Sequence, residues 1–135
     1  MRGAAPLRAL RIANPVVRAV LDSPAHRLLS RRLLVLDYRG HRSERAFRIP
    51  LQYAEDSDRR IVAVAVRPGR KLWWRSFEEP APATLTLRGI RIEACGVLAT
   101  GREREHARAA YVERHPRSTR VAQDAAIVVF TPRPG

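Results

Sequence analysis

"RLLVLDYRGHRSERAFRIPLQY", residues 32–53, decides the fold. Its first part, 32–40, is a compact apolar run that stops at Gly40, so it reads as a strand. Its last part, 45–53, alternates, with Phe47, Ile49 and Leu51 on one face and Arg48, Pro50 and Gln52 on the other. The residues between them, "RGHRSER", form a turn rich in cations. The stretch predicts a hairpin.

The pattern continues downstream. "EDSD" (55–58) is a polar turn, and "RIVAVAVRPG" (60–69) is a third strand ended by Pro68 and Gly69. "RKLWWRSFEE" (70–79) is a short helix or turn stopped by Pro80. "ATLTLRG" (83–89) alternates again, and Gly89 turns the chain directly into "IRIEACGVLAT" (90–100). Residues 102–115 form a charged helix whose inner stripe is Ala107, Ala110, Tyr111 and Arg114, and Pro116 ends it. "DAAIVVFTP" (124–132) is the last strand.

Upstream, residues 5–30 read as helical. Val16, Val17, Val20 and Leu21 make one stripe, Asn14 is a good N-cap, and Pro15 suits the first turn. A second short helix starts at Ser23 and Pro24 and ends near Arg31. Six short strands with tight connections argue for a small, mainly β barrel, an α+β arrangement that removes exposed sheet edges. The expected organisation is one domain over 1–135, with a helical segment at 1–30 and the barrel at 32–132.

The chain has 135 residues and a net charge of +13, with a pI near 11.6. Lys71 is its lone lysine; every other basic residue of that class is arginine. Such a charge attracts anions over about 8 Å at physiological salt. Nucleic acid, acidic lipid and phosphorylated small molecules are the candidate partners. Aromatic residues are only 6% and do not alternate with arginine along a strand, which argues against a base-stacking surface.

Cys95 is alone, so it forms no internal disulfide and no cysteine-based zinc site; it reads as a small core residue. His26, His41, His106 and His115 lack metal-binding helix spacing, so no metal is expected, and they read as surface or capping residues. The chain has no Gly-rich phosphate loop, no HExxH and no nucleophile elbow. No apolar run approaches the ~20 residues of a membrane helix. The first residues lack the apolar core of a secretory signal. The expectation is a cytoplasmic protein, whose Arg-bearing amphipathic N-terminus is suited to peripheral contact with an anionic membrane.

Two clusters carry candidate chemistry. The first is the turn with Arg39, His41, Arg42, Ser43, Arg45 and Arg48. Arginines converging at a hairpin tip grip phosphate or carboxylate, although a solvated basic turn has the same composition. The second is "RKLWWRSFEEP" (70–80), which holds Lys71 and both tryptophans, Trp73 and Trp74. Adjacent helical residues point about 100° apart, so one indole faces the core and the other a cleft or interface.

In this order and spacing, the NP start, the hairpin with its "GHRSER" turn and the element "RKLWWRSF" resemble the deazaflavin-dependent nitroreductase and quinone reductase family over residues 14–92. The resemblance implies a six-stranded split β-barrel of the flavin-reductase and pyridoxamine-phosphate-oxidase type. It implies a deazaflavin coenzyme (factor 420), with FMN as the alternative, and hydride transfer to a small hydrophobic quinone, nitro or activated-alkene acceptor. Arg42, Ser43 and Arg45 match the turn that in the family approaches the coenzyme's phosphate and acidic tail. Arg48 and Pro50 match the strand after it, and Lys71, Trp73 and Trp74 match the element that closes over the cofactor groove. The cofactor carries the hydride chemistry, so no catalytic acid or base is expected. Tyr53 and Tyr111 are the candidate proton or hydrogen-bond donors. Split barrels often pair, which implies a homodimer.

Two positions depart from the family pattern. Glu44 stands where glycine is usual, and Ser76 stands where asparagine is usual. Glu44 motivates a rival reading, a barrel that has lost its cofactor. The net charge motivates another, a non-enzymatic basic module that binds nucleic acid or acidic lipid.

Overall fold

The structure, a computed structural model, describes residues 11–12, 33–70 and 72–133. Strand β1 is Arg11–Ile12, β2 is Leu33–Arg39, β3 is Ala46–Glu55 and β4 is Ile61–Ala65. A 3₁₀ turn, Trp73–Phe77, leads to β5, Ala81–Leu87, and β6, Ile90–Leu98. Helix α1 is Gly101–Arg114; a second 3₁₀ turn at Pro116–Ser118 precedes the short helix α2, Thr119–Asp124, and β7 is Ala126–Pro132.

Strands β2 to β7 close into one antiparallel barrel. Around it β2 pairs with β3, β3 with β4, β4 with β7, β7 with β6, β6 with β5, and β5 with β2. Closure removes the sheet edges except along the early part of β3, beyond the reach of β4. The expected small barrel is the observed fold.

The strand period decides which side chains fill it. Leu34, Leu36, Leu51, Tyr53, Leu85, Val128 and Phe130 point inward and form the barrel core. A second core lies outside the wall, where Ala107 and Tyr111 of α1 pack on Val62, Val64, Ile127 and Val129. Strand β4 is therefore buried on both faces, at every residue from Ile61 to Ala65. This accounts for its unbroken apolar sequence: one face packs inward and the other lies under α1.

Several expectations need correction. Arg11 and Ile12, expected in a helix over 5–30, form a strand parallel to β3, opposite Phe47 and Arg48. The physical reason is tertiary: β4 pairs with β3 only at Tyr53–Glu55, so the early part of β3 has an edge for β1 to take. The rest of the expected helical span lies outside the described residues. On α1, Ala110 is half-buried and Arg114 exposed, so the inner stripe narrows to Ala107 and Tyr111. Cys95 is half-buried, not core, because the inward positions of β6 are its neighbours Ala94 and Gly96.

Candidate functional site

Register places both sequence clusters at one end of the barrel. Arg39 pairs with Ala46 at the β2–β3 turn, and Ala81 pairs with Gly96 and Ala65 with Ala126 across neighbouring strands. The hairpin tip (40–45) and the connection from β4 to β5 (66–80) therefore leave the barrel at the same end. Arg42, Ser43 and Arg45 come from the first, Trp73 and Trp74 from the second. Lys71 lies outside the described residues.

The hairpin tip is tightly made. The Gly40 amide donates to the Arg45 carbonyl at 2.9 Å, and the Glu44 amide to the Gly40 carbonyl at 3.2 Å. Glu44 has φ of 55°, the left-handed region that a glycine occupies at little cost. Arg39 stabilises that conformation by donating from Nη1 to the Glu44 carbonyl at 3.0 Å. The Arg45 amide donates to Ser43 Oγ at 3.3 Å. Gly40 has no room for a side chain, since a Cβ there would stand 2.9 Å from both Phe47 Cε2 and Ser43 Oγ. Arg42 and Arg45 are exposed, and among the described residues their side chains form no ion pair.

Arg48 and Pro50 differ from this. Arg48 sits directly across from Asp37, and its Nε donates to Oδ1 of that carboxylate at 2.8 Å. Its charge is already engaged. Pro50 pairs with Val35 on one side, and on the other falls between the β1 and β4 pairings of β3. A proline lacks the amide hydrogen that a ladder partner there would use.

The 3₁₀ turn caps the barrel. Phe77 is fully buried and makes edge contacts with Phe130 at 5.2 Å and Trp73 at 6.2 Å between ring centroids. Tyr38 lies 6.1 Å from Phe77 and stacks on Phe47 at 5.6 Å, so an aromatic chain joins the turn to the hairpin base. Burial pushes the Tyr38 phenol above its ordinary pKa. Sequence reasoning passed over Tyr38 and Phe77; the strand phase that Tyr38 shares with Leu34 and Leu36, and the spacing of Phe77 from Trp73, were the available signals.

The two tryptophans separate. Trp73 is buried in the barrel core and Trp74 is half-buried. Trp74 Nε1 donates to the Pro68 carbonyl at 2.9 Å, and the Arg75 guanidinium lies 5.6 Å from its ring centroid. Among the described residues, Trp73 Nε1 and Ser76 Oγ are buried without a hydrogen-bond partner. Positions i and i+3 of a 3₁₀ turn eclipse, so both orphaned groups belong to one face of it. Beside Trp74 opens a groove of about 420 Å³, lined by Pro68, Gly69, Arg75, Leu98 and Ile127 among others.

The tyrosine candidates stand elsewhere. Tyr53 is seven residues beyond Ala46 along β3, about 23 Å at ~3.3 Å per residue, and its ring packs in the barrel core. Tyr111 lies under α1 in the outer core and donates to Gln52 Oε1 at 3.1 Å. Burial raises its pKa, opposed by a hydrogen bond from Ser118. His115 caps α1, with Nε2 2.7 Å from the Tyr53 carbonyl.

One acidic cluster forms unforeseen. Asp56, Asp58 and His106 bring potential ligand atoms within 4.8 Å of one another. Asp56, however, accepts from the amides of Asp58 and Arg60 and from Arg60 Nε, all at 2.8–2.9 Å. Arg60 already supplies the positive charge there and continues to Glu103 at 2.8 Å. The cluster works as a structural clasp between the β3–β4 turn and α1.

No protein-family model matches the sequence, and no curated protein does. Solved structures do match. An F420-H2 dependent reductase superposes with a TM-score of 0.61 at 17% identity, covering 75% of this chain and 95% of its own. The chain has the fold of that reductase. A protein described as a domain-swapped dimer matches with a TM-score of 0.62 at 16% identity, over 87% of this chain and all of its own. An Agrobacterium tumefaciens protein of unknown function matches with a TM-score of 0.62 at 18% identity, over 90% of this chain and 60% of its own. The likeness to deazaflavin-dependent reductases, suggested by the motifs, therefore holds at the level of the fold. Among the described residues no helix is long and apolar enough to cross a membrane.

Proposed function

We propose that the protein is an oxidoreductase that uses a deazaflavin coenzyme to reduce a quinone, nitro or activated-alkene acceptor. The observation that carries this reading is the meeting of the basic hairpin tip and the tryptophan turn at one end of a barrel with a reductase fold. The residues present suit an anionic coenzyme with a flat head. Arg42 and Arg45 are exposed cations without a side-chain ion pair, suited to a phosphate or acidic tail. Trp74, half-buried on the tryptophan turn, offers an aromatic face suited to a flat head. The coenzyme, when bound, supplies the hydride chemistry. The chain's own part is to hold charge at the hairpin and to exclude water at the aromatic turn. Arg48, already paired with Asp37, supports the strand rather than the ligand. Tyr53 and Tyr111 act in packing, since neither reaches that end of the barrel.

The reading includes a homodimer, supported by the domain-swapped dimer among the matching folds. Light scattering after gel filtration tests this. The functional test is a fluorescence titration with oxidised deazaflavin coenzyme and, separately, with FMN. Saturable quenching by deazaflavin at micromolar concentration is expected. Tighter binding of FMN would replace the coenzyme in this reading, and no response to either would refute it.

A further inference from the structure

The groove beside Trp74 has a chemistry of its own. Its floor is apolar, made by Leu98, Ala99, Ala126 and Ile127, where β6 ends and β7 begins. One wall is the Trp74 indole, fixed in orientation by its bond to the Pro68 carbonyl. Arg75 stands at the rim, exposed, and among the described residues no carboxylate pairs with it. A second lining cation, Arg104, is already engaged: its Nη2 donates to the carbonyls of Gln123 and Ala125 at 2.8 Å and its Nη1 to Glu105 Oε2 at 3.3 Å, which leaves Arg75 as the cation offered to a ligand. No lining residue is acidic, and none belongs to the hairpin tip.

An apolar floor, a rigid aromatic wall and an unpaired arginine at the rim select one kind of ligand. It has a flat apolar body to lie on the floor against the indole and a single anionic group to meet the guanidinium. We infer that this groove is a binding site for small aromatic carboxylates, separate from the hairpin cations. The inference stands whether or not the barrel binds a deazaflavin coenzyme. A volume of about 420 Å³ is enough for a two-ring acid.

Gly69 supplies the test, because a Cβ built there meets nothing within 4 Å and its backbone is not left-handed. A phenylalanine at that position occupies open space at the groove without disturbing the core. The experiment is isothermal titration calorimetry of the purified protein with naphthoate, and with the neutral naphthylmethanol as comparison. One saturable site for naphthoate is expected, with the neutral analogue weaker by about tenfold or more. Gly69→Phe should abolish binding, and Arg75→Ala should weaken it by about tenfold. Arg91→Ala, on the exposed face of β6 away from the groove, should leave it unchanged. Circular dichroism melts of each variant confirm that the barrel is folded. Absence of a saturable site overturns the inference. So does equal affinity for the neutral analogue, or binding that survives both groove substitutions in folded protein.

Discussion

A Cβ at Gly96 would stand 2.8 Å from Cδ1 of Phe77. It would also stand 2.6 Å from Cε1 of Phe130, so the missing side chain is the space in which the two rings meet. This contact seats the tryptophan turn on the mouth of the barrel. Gly96→Ala forces rigid, fully buried rings apart and should destabilise the protein by about 1–3 kcal/mol. Phe77→Ala empties the same space and should cost about 3–5 kcal/mol. Urea unfolding midpoints measure both. An unchanged midpoint in Gly96→Ala would show that the turn does not close the barrel in this way.

The backbone at Glu44 gives a second prediction with the opposite sign. Its φ of 55° costs a non-glycine residue about 1 kcal/mol. Glu44→Gly should therefore raise stability slightly, by up to about 0.5 kcal/mol once the extra freedom that glycine gives the unfolded chain is subtracted. It also removes a negative charge between Arg42 and Arg45, so affinity for an anionic coenzyme should rise. A loss of stability would contradict the conformational argument, and unchanged affinity the electrostatic one.

Asp56 sets an acid limit. Its carboxyl is fully buried. Burial alone would raise its pKa, but hydrogen bonds from the Arg60 amide and guanidinium and the Asp58 amide outweigh this and hold it below the usual carboxylate range. A carboxyl with a depressed folded pKa contributes stability above its unfolded pKa, about 3.9, and loses it as pH falls through the folded value. Stability should thus fall steeply below about pH 4. Asp56→Ala should flatten that fall and, at neutral pH, cost about 3 kcal/mol by leaving Arg60 and two turn amides without their acceptor. Melting temperature against pH for both proteins checks the pair of outcomes.

Much of this was legible in the sequence, and particular residues show why. The hairpin over 32–53 shows because Gly40 ends a compact apolar run and the strand after the turn alternates with a period of two. β4 shows because both of its faces are covered. What failed depends on distant partners. Arg11 and Ile12 pair with an edge of β3 that local sequence does not announce. The six-residue helix α2 has no side-chain cap, and Arg104 meets carbonyls at its C-terminal end from another element. Phe77 was overshadowed by two tryptophans, yet it is the residue that fills the mouth. At the site, the hairpin cations and the tryptophan turn were both visible. Their common end of the barrel follows only from strand register, and the engagement of Arg48 with Asp37 only from the cross-strand pair.

Ser76 offers a local check on the turn. Its hydroxyl is buried without a partner. In the free protein, Ser76→Ala removes an unmet polar group and should be neutral or stabilising by up to about 1 kcal/mol. A cost instead would mean that the hydroxyl holds a bound water.

The most direct test of the central claim is the affinity for oxidised deazaflavin coenzyme of the native chain beside an Arg42→Ala, Arg45→Ala double variant. The account predicts saturable micromolar binding by the native protein. In the double variant it predicts a loss of at least tenfold, with an unchanged melting temperature, as two exposed charge-assisted contacts disappear. Equal affinity in the two proteins, or no binding in either, would contradict it.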